Sequence, residues 1–364
     1  MYELTLSSDY LKHWTVEDAV RELFQNAIDF SEDGELDFLI KEDHEVQINT
    51  KGVSLHPSVL LLGSGDKSED NTKLGGFGEG MKVALLILAR EGVDVVMHNG
   101  NKIWRPSFVF NEHFGTKMLC IIEEDNLEED IGIRYTIKGL KSEEITNIIT
   151  RTLPTQKYIG IETKYGEVLT EGCFISKVFV GGLYVCDVAG LQYGYNFNKG
   201  TLPLNRDRQT VPDWDVSKMT DRMLAAALPP EDYVKLVAER AKDVYHARYN
   251  YQEVDVCDVA NKNFVEEYGV RPVANSNEEV DLLKKEGYTN PYLEPNGGLY
   301  QLITSSPSYS KGEKKEVLTV EDQIKELFSD STVMRFLLEE GAAEMAEEYY
   351  ELMHKVLEKI DEHI

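Results

Sequence analysis

Three polar side chains recur at helical spacing in the segment RELFQNAIDF, which runs from residue 21 to residue 30. At 100° per residue, Glu22, Asn26 and Asp29 fall within about 60° of one another on a helix. Their common face lies away from the apolar stripe of the same helix. Two carboxylates and an amide on one face can bind a polar ligand, or they can form an ordinary solvated surface. The helix alone leaves both interpretations open.

A second segment, KLGGFGEGMK, spans residues 73–82 and places four glycines just before a predicted helix. Glycine lets the backbone approach an anion closely, and a helix N-terminus offers free N–H groups. The segment is not a P-loop, because no GxxxxGK[ST] occurs, and it follows a loop rather than the strand of a Rossmann fingerprint. The kinase motifs HRD and DFG are absent as well. This segment predicts a phosphate-binding turn of another kind.

Together, the two segments resemble the GHKL ATPases, which include gyrase B subunits, ninety-kilodalton heat-shock chaperones, sensor histidine kinases and MutL proteins. RELFQNAID is similar to their motif E-x-x-x-N-x-x-D, and LGGFGEGMK is similar to their lid motif G-x-F/H-G-x-G. LGSGDKS, residues 62–68, resembles the segment that precedes the lid in the chaperones. The resemblance covers roughly residues 10–140. It implies a Bergerat-type α/β sandwich that binds ATP and Mg²⁺.

The resemblance also implies roles for individual residues. Asn26 would hold Mg²⁺ and bridge it to the phosphates, since hard cations prefer oxygen ligands. Glu22, its i−4 neighbour, would polarise the attacking water as general base, and Asp29 would support the site. The residues that would wrap the triphosphate are Gly75, Gly76, Phe77, Gly78 and Gly80, with Lys82 nearby.

The adenine-reading strand end departs from the family pattern D-x-G-x-G. In INTKGVSLHP, Gly52 matches the first glycine, but Thr50 stands at the aspartate position and Ser54 at the second glycine. A threonine hydroxyl accepts one hydrogen bond without the charge assistance of a carboxylate. We therefore predict weak discrimination between adenine and guanine. The family's late-strand threonine near the base corresponds to either Thr116 or Thr136, and both alternatives stay open.

A third segment, LPLNRDRQT at residues 202–210, is similar to a stretch of the chaperones' middle domain. The resemblance implies that Arg208 reaches the γ-phosphate, where a guanidinium binds bidentately. A charged surface loop is the alternative. No lysine motif of the gyrase QTK type is evident in this part of the chain.

The elements around these segments predict an α+β fold with helices on one face of a mixed sheet. A capped amphipathic helix covers residues 15–30, a strand 45–49 and a helix 81–90, and four strand candidates follow. Residues 174–188 predict a hairpin that turns at Gly181-Gly182. The predicted divisions are 1–150 (ATP-binding), 151–250 (second α/β domain), 251–304 (small α/β segment), 305–318 (linker) and 319–364 (acidic helical tail).

Charge and cysteine content bear on partners and location. The 364 residues carry a net charge of −27, and residues 319–364 alone hold 13 acidic and 4 basic side chains. Such a field repels nucleic acid and favours a protein partner. Four cysteines without CxxC spacing are typical of a reducing cytoplasm. No stretch predicts a signal peptide or a membrane span.

Two functions are compatible with these sequence features. The first is an ATP-binding protein that hydrolyses ATP slowly, forms a homodimer and moves its lid and second domain with nucleotide state. The second is a non-catalytic acidic interaction protein, an inhibitor or DNA mimic, built on a degenerate GHKL scaffold. A histidine kinase and a complete topoisomerase are disfavoured, because neither a phospho-acceptor histidine box nor a DNA-cleavage domain is found.

Overall fold

The computed structural model describes residues 1–31, 36–41, 44–61, 79–126, 132–204, 211–249, 253–314, 351–352, 354–356 and 358–359. The contacts divide the chain into two compact units, Met1–Tyr251 and Gln252–Ile364. Helices and largely antiparallel sheets make this an α+β protein, which confirms the predicted class. Among the described residues, no helix is both long enough and apolar enough to cross a membrane.

The first sheet has seven strands in the order β1-β6-β5-β4-β7-β3-β2. Its strands are β1 (Tyr2–Ser7), β2 (Leu36–Ile40), β3 (Val46–Thr50), β4 (Asp94–Asn99), β5 (Lys102–Asn111), β6 (Thr116–Asp125) and β7 (Ile133–Lys138). Every neighbouring pair is antiparallel, so the prediction of a mixed sheet is wrong for this sheet. Short turns join three of these pairs, β2–β3, β4–β5 and β5–β6, and a short turn allows only an antiparallel pair. The two edge strands, β1 and β2, were not predicted.

Three helices accompany this sheet: α1 (Val16–Phe30), α2 (Gly80–Arg90) and α3 (Ser142–Thr150). The predicted cap of α1 is present, since the Thr15 side chain accepts from the Asp18 backbone and the Asp18 side chain accepts from the Thr15 backbone. The rings of Phe24 in α1 and Phe38 in β2 lie 5.0 Å apart. Because Phe38 pairs with Ile48 of β3, α1 packs on the sheet face that carries Ile48.

The second sheet also belongs to the first unit and has the order β11-β10-β12-β9-β8. It consists of β8 (Gly160–Thr163), β9 (Gly166–Leu169), β10 (Lys177–Val180), β11 (Leu183–Asp187) and β12 (Gly194–Phe197), followed by α4 (Asp213–Ala227) and α5 (Pro230–Ala238). The hairpin between β10 and β11 turns at Gly181 and Gly182, which confirms the prediction; both have positive φ angles. β12 runs parallel to β10.

The second unit contains α6 (Val254–Tyr268), β13 (Val273–Ala274), α7 (Asn277–Lys285), β14 (Tyr292–Leu293) and α8 (Gly297–Ser305). Its two short strands are parallel, and the ring of Tyr292 contacts those of Phe264 and Tyr268. Helices and short strands thus alternate along this part of the chain. Most of the predicted acidic tail, 319–364, lies outside the described residues.

Acid stability of the first unit is expected to depend on Glu45, which precedes β3. Its carboxylate accepts from Lys41 at 2.5 Å and lies 3.0 Å from the Lys138 ammonium, and these lysines lower its pKa to about 2. A lowered folded-state pKa adds stability above the unfolded value, and this stability disappears as pH falls through about 4.5 toward 2. Both lysines are about half exposed, so we expect a contribution of roughly 1–2 kcal/mol.

Urea unfolding of wild type and Glu45→Gln at pH 7 and pH 3 measures this contribution. We expect the variant to be less stable at pH 7 and the difference to shrink at pH 3. A difference that is unchanged between the two pH values would show that the ionised carboxylate is not the stabilising species.

Candidate functional site

The polar face of α1 is enclosed by the fold rather than solvated. The Glu22 side chain is 12% exposed, and the Asp29 side chain is fully buried. Asn26, between them, is half-buried. Since ionised and amide groups lose hydration when they are enclosed, this arrangement requires compensating partners. An ordinary solvated surface does not account for it.

The Asn26 side chain is held in one orientation. Its nitrogen Nδ2 donates to the Glu22 backbone carbonyl at 2.9 Å. A carbonyl only accepts, so the amide nitrogen must be the atom that faces it, and Oδ1 points to the other side. Within the described part of the chain, no residue donates to that Oδ1. The amide oxygen is therefore positioned to accept a donor or to coordinate a cation.

The Glu22 carboxylate lies against the first residue of α2. A Cβ built on Gly80 would overlap Glu22 Oε2 and would lie 3.3 Å from Glu22 Cδ. A larger residue there would displace the Glu22 carboxylate, which gives Gly80 a second role besides access of an anion to the backbone. The start of a helix also carries unsatisfied N–H groups and the positive end of its dipole, and both favour a carboxylate. The Arg21 guanidinium is 3.7 Å from the other carboxylate oxygen.

Lys82, expected near the phosphates, is buried on α2. Its ammonium donates to the Leu61 carbonyl at 2.6 Å. Burial lowers the pKa of the Lys82 ammonium despite the nearby Glu79. In this structure Lys82 therefore anchors the backbone that leads into the glycine-rich segment. Gly75, Gly76, Phe77 and Gly78 lie outside the described residues.

Thr50 and Gly52 occupy the end of β3, as the resemblance implies. Thr50 is 1% exposed and faces the helix layer, because it shares a side of β3 with Ile48. Gly52 has a φ of +76°, a conformation that favours glycine in the turn after the strand. Ser54 follows in the same described loop.

Two residues that the sequence did not single out support this turn. A Cβ on Gly132 would overlap the Thr50 carbonyl and lie 3.0 Å from Lys51 Cα, so glycine is required for the close approach. Asn99 makes two hydrogen bonds to the backbone of Leu55, at 2.7 and 2.8 Å. Gly132 and Asn99 are both far from this turn in the sequence. Only the fact that residue 132 is a glycine could have suggested a special backbone position.

Strand register separates Thr136 from Thr50. Thr136 pairs with Gln47, whereas Ile133 is the residue of β7 that pairs with Thr50. Because side chains alternate along a strand, Thr136 lies on the face away from Ile48 and α1. The other alternative, Thr116, starts β6, and four steps in strand order separate it from β3. Neither threonine lies beside Thr50.

Tyr135 is a polar group on the helix-covered face that no sequence pattern indicated. It pairs with Ile48 and is 1% exposed. Burial raises the pKa of its hydroxyl well above the usual value, and that hydroxyl has no hydrogen-bond partner among the described residues. A buried orphan hydroxyl is costly, so its position calls for an explanation. Asn99, which pairs with Ile133, shares this face but is already bonded to the Leu55 backbone, so Thr50 and Tyr135 are the two polar side chains here that we consider for the base.

The loop after β12 brings a lysine of the second sheet to α1. Lys199 Nζ lies 3.3 Å from Asp29 Oδ1 and 3.5 Å from the Ile28 carbonyl. Lys199 is 17% exposed, so the ion pair is shielded from solvent. The pair lies one helical turn beyond Asn26 and joins residues 170 positions apart in the chain. The lysine of NKG, three residues before LPLN, was the one feature of the sequence that could have indicated this contact. Arg208 lies outside the described residues.

Replacing Lys199 by methionine is expected to destabilise the first unit by about 1–3 kcal/mol, because a buried carboxylate loses its ammonium partner. Asp29 keeps further interactions, which limits the loss. A double-mutant cycle of Lys199→Met with Asp29→Asn, followed by chemical unfolding, measures the coupling. Lys157→Met, an exposed lysine of the same region, is the matched control. A coupling energy near zero would show that the contact contributes nothing.

The donor set around Asn26 is compatible with Mg²⁺. No group of three or more His, Cys, Asp or Glu within the described ranges could hold a metal ion by itself. Mg²⁺ in nucleotide sites needs only one or two protein oxygens, because phosphates and water complete its octahedron. Asn26 Oδ1 meets that requirement.

Comparisons with known proteins add no assignment. No protein-family model matches the chain, and no curated protein gives a significant match. The geometry of the site is therefore the basis on which a function can be inferred.

Proposed function

We propose that this chain is an ATP-binding, slowly hydrolysing protein of the GHKL type with a Bergerat-type first domain. The observation that carries the proposal is the enclosed polar face of α1. An oriented amide oxygen on Asn26 and a carboxylate on Glu22 lie one turn apart, next to the N-terminus of α2. A helix that serves only as scaffold gains nothing from such a face, because the enclosed polar groups lose hydration and add no apolar contact to the core.

In the proposed reaction, Mg²⁺ supplies charge neutralisation at the phosphates. Asn26 Oδ1 would hold the cation, and the hydrogen bond from Asn26 Nδ2 to the Glu22 carbonyl keeps that oxygen in place. The Glu22 carboxylate would orient a water and accept its proton as the water oxygen bonds to the γ-phosphorus, while the bond from that phosphorus to the β,γ-bridging oxygen breaks and ADP and phosphate leave. Contact with Gly80 restricts where that carboxylate can lie. Thr50 and Tyr135 are the polar groups proposed to face the base.

The second sheet is proposed to respond to nucleotide state. Lys199 contacts α1 at Asp29, so the loop that precedes LPLN is already next to the proposed site. Arg208 belongs to that same loop in sequence, and its proposed contact with the γ-phosphate remains a prediction. Differential contact with ATP and ADP is what a ligand needs in order to shift a conformational equilibrium. Four free cysteines fit the proposed location in a reducing cytoplasm, and the proposed homodimer stays a prediction.

Equilibrium binding tests the proposal. Isothermal titration of the full chain with ATP should give saturable binding that depends on Mg²⁺, and titration with ADP should give weaker binding. Matched titrations with ATP in EDTA separate the contribution of the cation. Absence of binding at millimolar ATP with Mg²⁺ would contradict the proposal.

The second candidate is a non-catalytic acidic interaction protein on the same scaffold. It is favoured by the net charge of −27 and by the absence of a carboxylate at the base-reading position, where Thr50 pairs with Ile133. Neither Thr50 nor Ile133 carries the negative charge that strengthens a hydrogen bond from the adenine amino group. Nucleotide titration separates the candidates, because this one expects no Mg²⁺-dependent nucleotide binding.

A further inference from the structure

An exposed cluster of aromatic rings and one arginine lies in the first unit, on residues to which the proposed nucleotide site gives no role. We call Trp214, Tyr245, His246, Arg248 and Tyr249 the aromatic–arginine cluster. Trp214, Tyr245 and Tyr249 are 58%, 55% and 63% exposed, whereas His246 is 2% exposed. Single exposed aromatics are common on protein surfaces, but three around one buried ring form a contiguous patch, which marks an interaction site.

The rings are in direct contact with one another. The buried His246 ring lies 4.1 Å from Trp214 at 84°, and 5.6 and 5.9 Å from Tyr245 and Tyr249. The Arg248 guanidinium lies over both tyrosine rings, at 5.1 and 4.6 Å, and donates to the Tyr245 hydroxyl at 3.1 Å. The guanidinium is thus stacked on the rings and keeps donors for a partner.

A buried carboxylate holds the segment beneath the cluster. Asp243, fully buried, accepts from the Tyr195 hydroxyl at 2.5 Å and from the Gln192 backbone at 2.8 Å. Its own carbonyl accepts from Thr220 of α4 at 2.8 Å. These bonds fix the chain two residues before Tyr245 and tie it to the helix that carries Trp214. The cluster is therefore preorganised, which lowers the entropic cost of binding.

Charge around the cluster is cationic in an otherwise acidic chain. Arg248 and Lys218 both act on His246, whose pKa is lowered first by burial and then by these two charges. Two carboxylates, Asp213 and Asp215, flank Trp214 in the sequence, and Asp213 is paired with Lys242 at 3.1 Å. The net charge of −27 repels any anion at long range, so only a short acidic segment, whose carboxylates stay beside Arg248 and Lys218, gains net attraction here, whereas a long polyphosphate extends beyond these two charges.

We propose that the aromatic–arginine cluster is a docking site for a partner protein that presents an acidic and apolar segment. Tryptophan, tyrosine and arginine are the residues that dominate protein–protein binding energies, and here they occur together on a rigid base. The acidic residues of the partner would pair with Arg248 and Lys218, and its apolar residues would cover the rings. This site is independent of nucleotide binding.

Peptide selection on the full chain tests the proposal. Random twelve-residue peptides displayed on phage are selected on the immobilised wild-type protein, and recovered peptides are measured by fluorescence polarisation. We expect enrichment in acidic and apolar residues, and at least tenfold weaker binding to Arg248→Ala and to Tyr249→Ala. Tyr165→Ala, which removes a tyrosine under Lys164 in the same unit, is the matched control and should bind normally.

Several results would overturn the proposal. Recovered peptides without acidic enrichment, or with equal affinity for the wild type and both variants, would exclude the site. Binding of a fluorescent twelve-nucleotide oligo(dT) with the same dependence on Arg248 and Tyr249 would instead assign the cluster to single-stranded nucleic acid. Self-association in analytical ultracentrifugation that both variants abolish would assign it to a second copy of the chain. Circular dichroism confirms that each variant is folded before it is compared.

Discussion

Replacing Asn26 by alanine is expected to abolish the stabilisation that ATP and Mg²⁺ give to the wild-type chain. At a ligand concentration one hundred times the dissociation constant, the wild type should gain about 2.7 kcal/mol. For a unit of 251 residues, this corresponds to a rise in Tm of roughly 5–10 °C. The variant should show no rise, because the amide oxygen is the protein ligand proposed for the cation. Differential scanning fluorimetry at about 1 mM nucleotide measures both proteins.

Asn26→Ala is expected to leave the fold of the nucleotide-free protein unchanged. Among the residues that the structure describes, Asn26 makes one side-chain hydrogen bond, to the backbone of its own helix, and alanine has the higher helix propensity. Stability without nucleotide should therefore change by less than about 1 kcal/mol. Asn147→Ala, which removes another helix amide whose nitrogen donates to Glu17, is the matched control and should keep the full shift. An equal shift in Asn26→Ala would remove Asn26 from the site, whereas no shift in the wild type would contradict nucleotide binding itself.

Replacing Glu22 by glutamine is expected to leave ATP binding intact and to lower turnover by roughly 10²-fold or more, the usual scale for a general base. The amide has nearly the same shape, so contact with Gly80 is kept while the proton acceptor is lost. Phosphate release under single-turnover and steady-state conditions separates chemistry from product release. Glu17→Gln, on the same helix and also partly buried, is the matched control.

Gly80→Ala provides an independent test of the same geometry. The added methyl group would overlap Glu22 Oε2, so the carboxylate must move while its charge is retained. We expect lower turnover with a smaller effect on nucleotide affinity. If Glu22→Gln and Gly80→Ala both hydrolyse ATP at the wild-type rate, the position of the Glu22 carboxylate has no role in the reaction.

Local features of this protein were determined by the sequence itself. The cap, the apolar stripe and the polar face of α1 all follow from spacings of three and four residues, which the geometry of a helix converts directly into contacts. Spacing alone therefore placed Glu22, Asn26 and Asp29 on one helix face, whereas their proposed roles came from the resemblance to the GHKL motifs. The β10–β11 hairpin was determined in the same way, by two glycines between alternating strands.

Tertiary structure decided everything that depends on register or on distant partners. Whether Thr136 or Ile133 lies beside Thr50 depends on how β3 pairs with β7, and a shift of one residue reverses the face of every side chain. The contact of Lys199 with Asp29 joins the loop after β12 of the second sheet to helix α1, and no local sequence pattern connects these two elements. Lys82 bonds to the Leu61 carbonyl and Gly80 lies against Glu22, and neither partner is a neighbour in sequence. Such contacts could not be predicted locally, because only the folded chain brings these residues together.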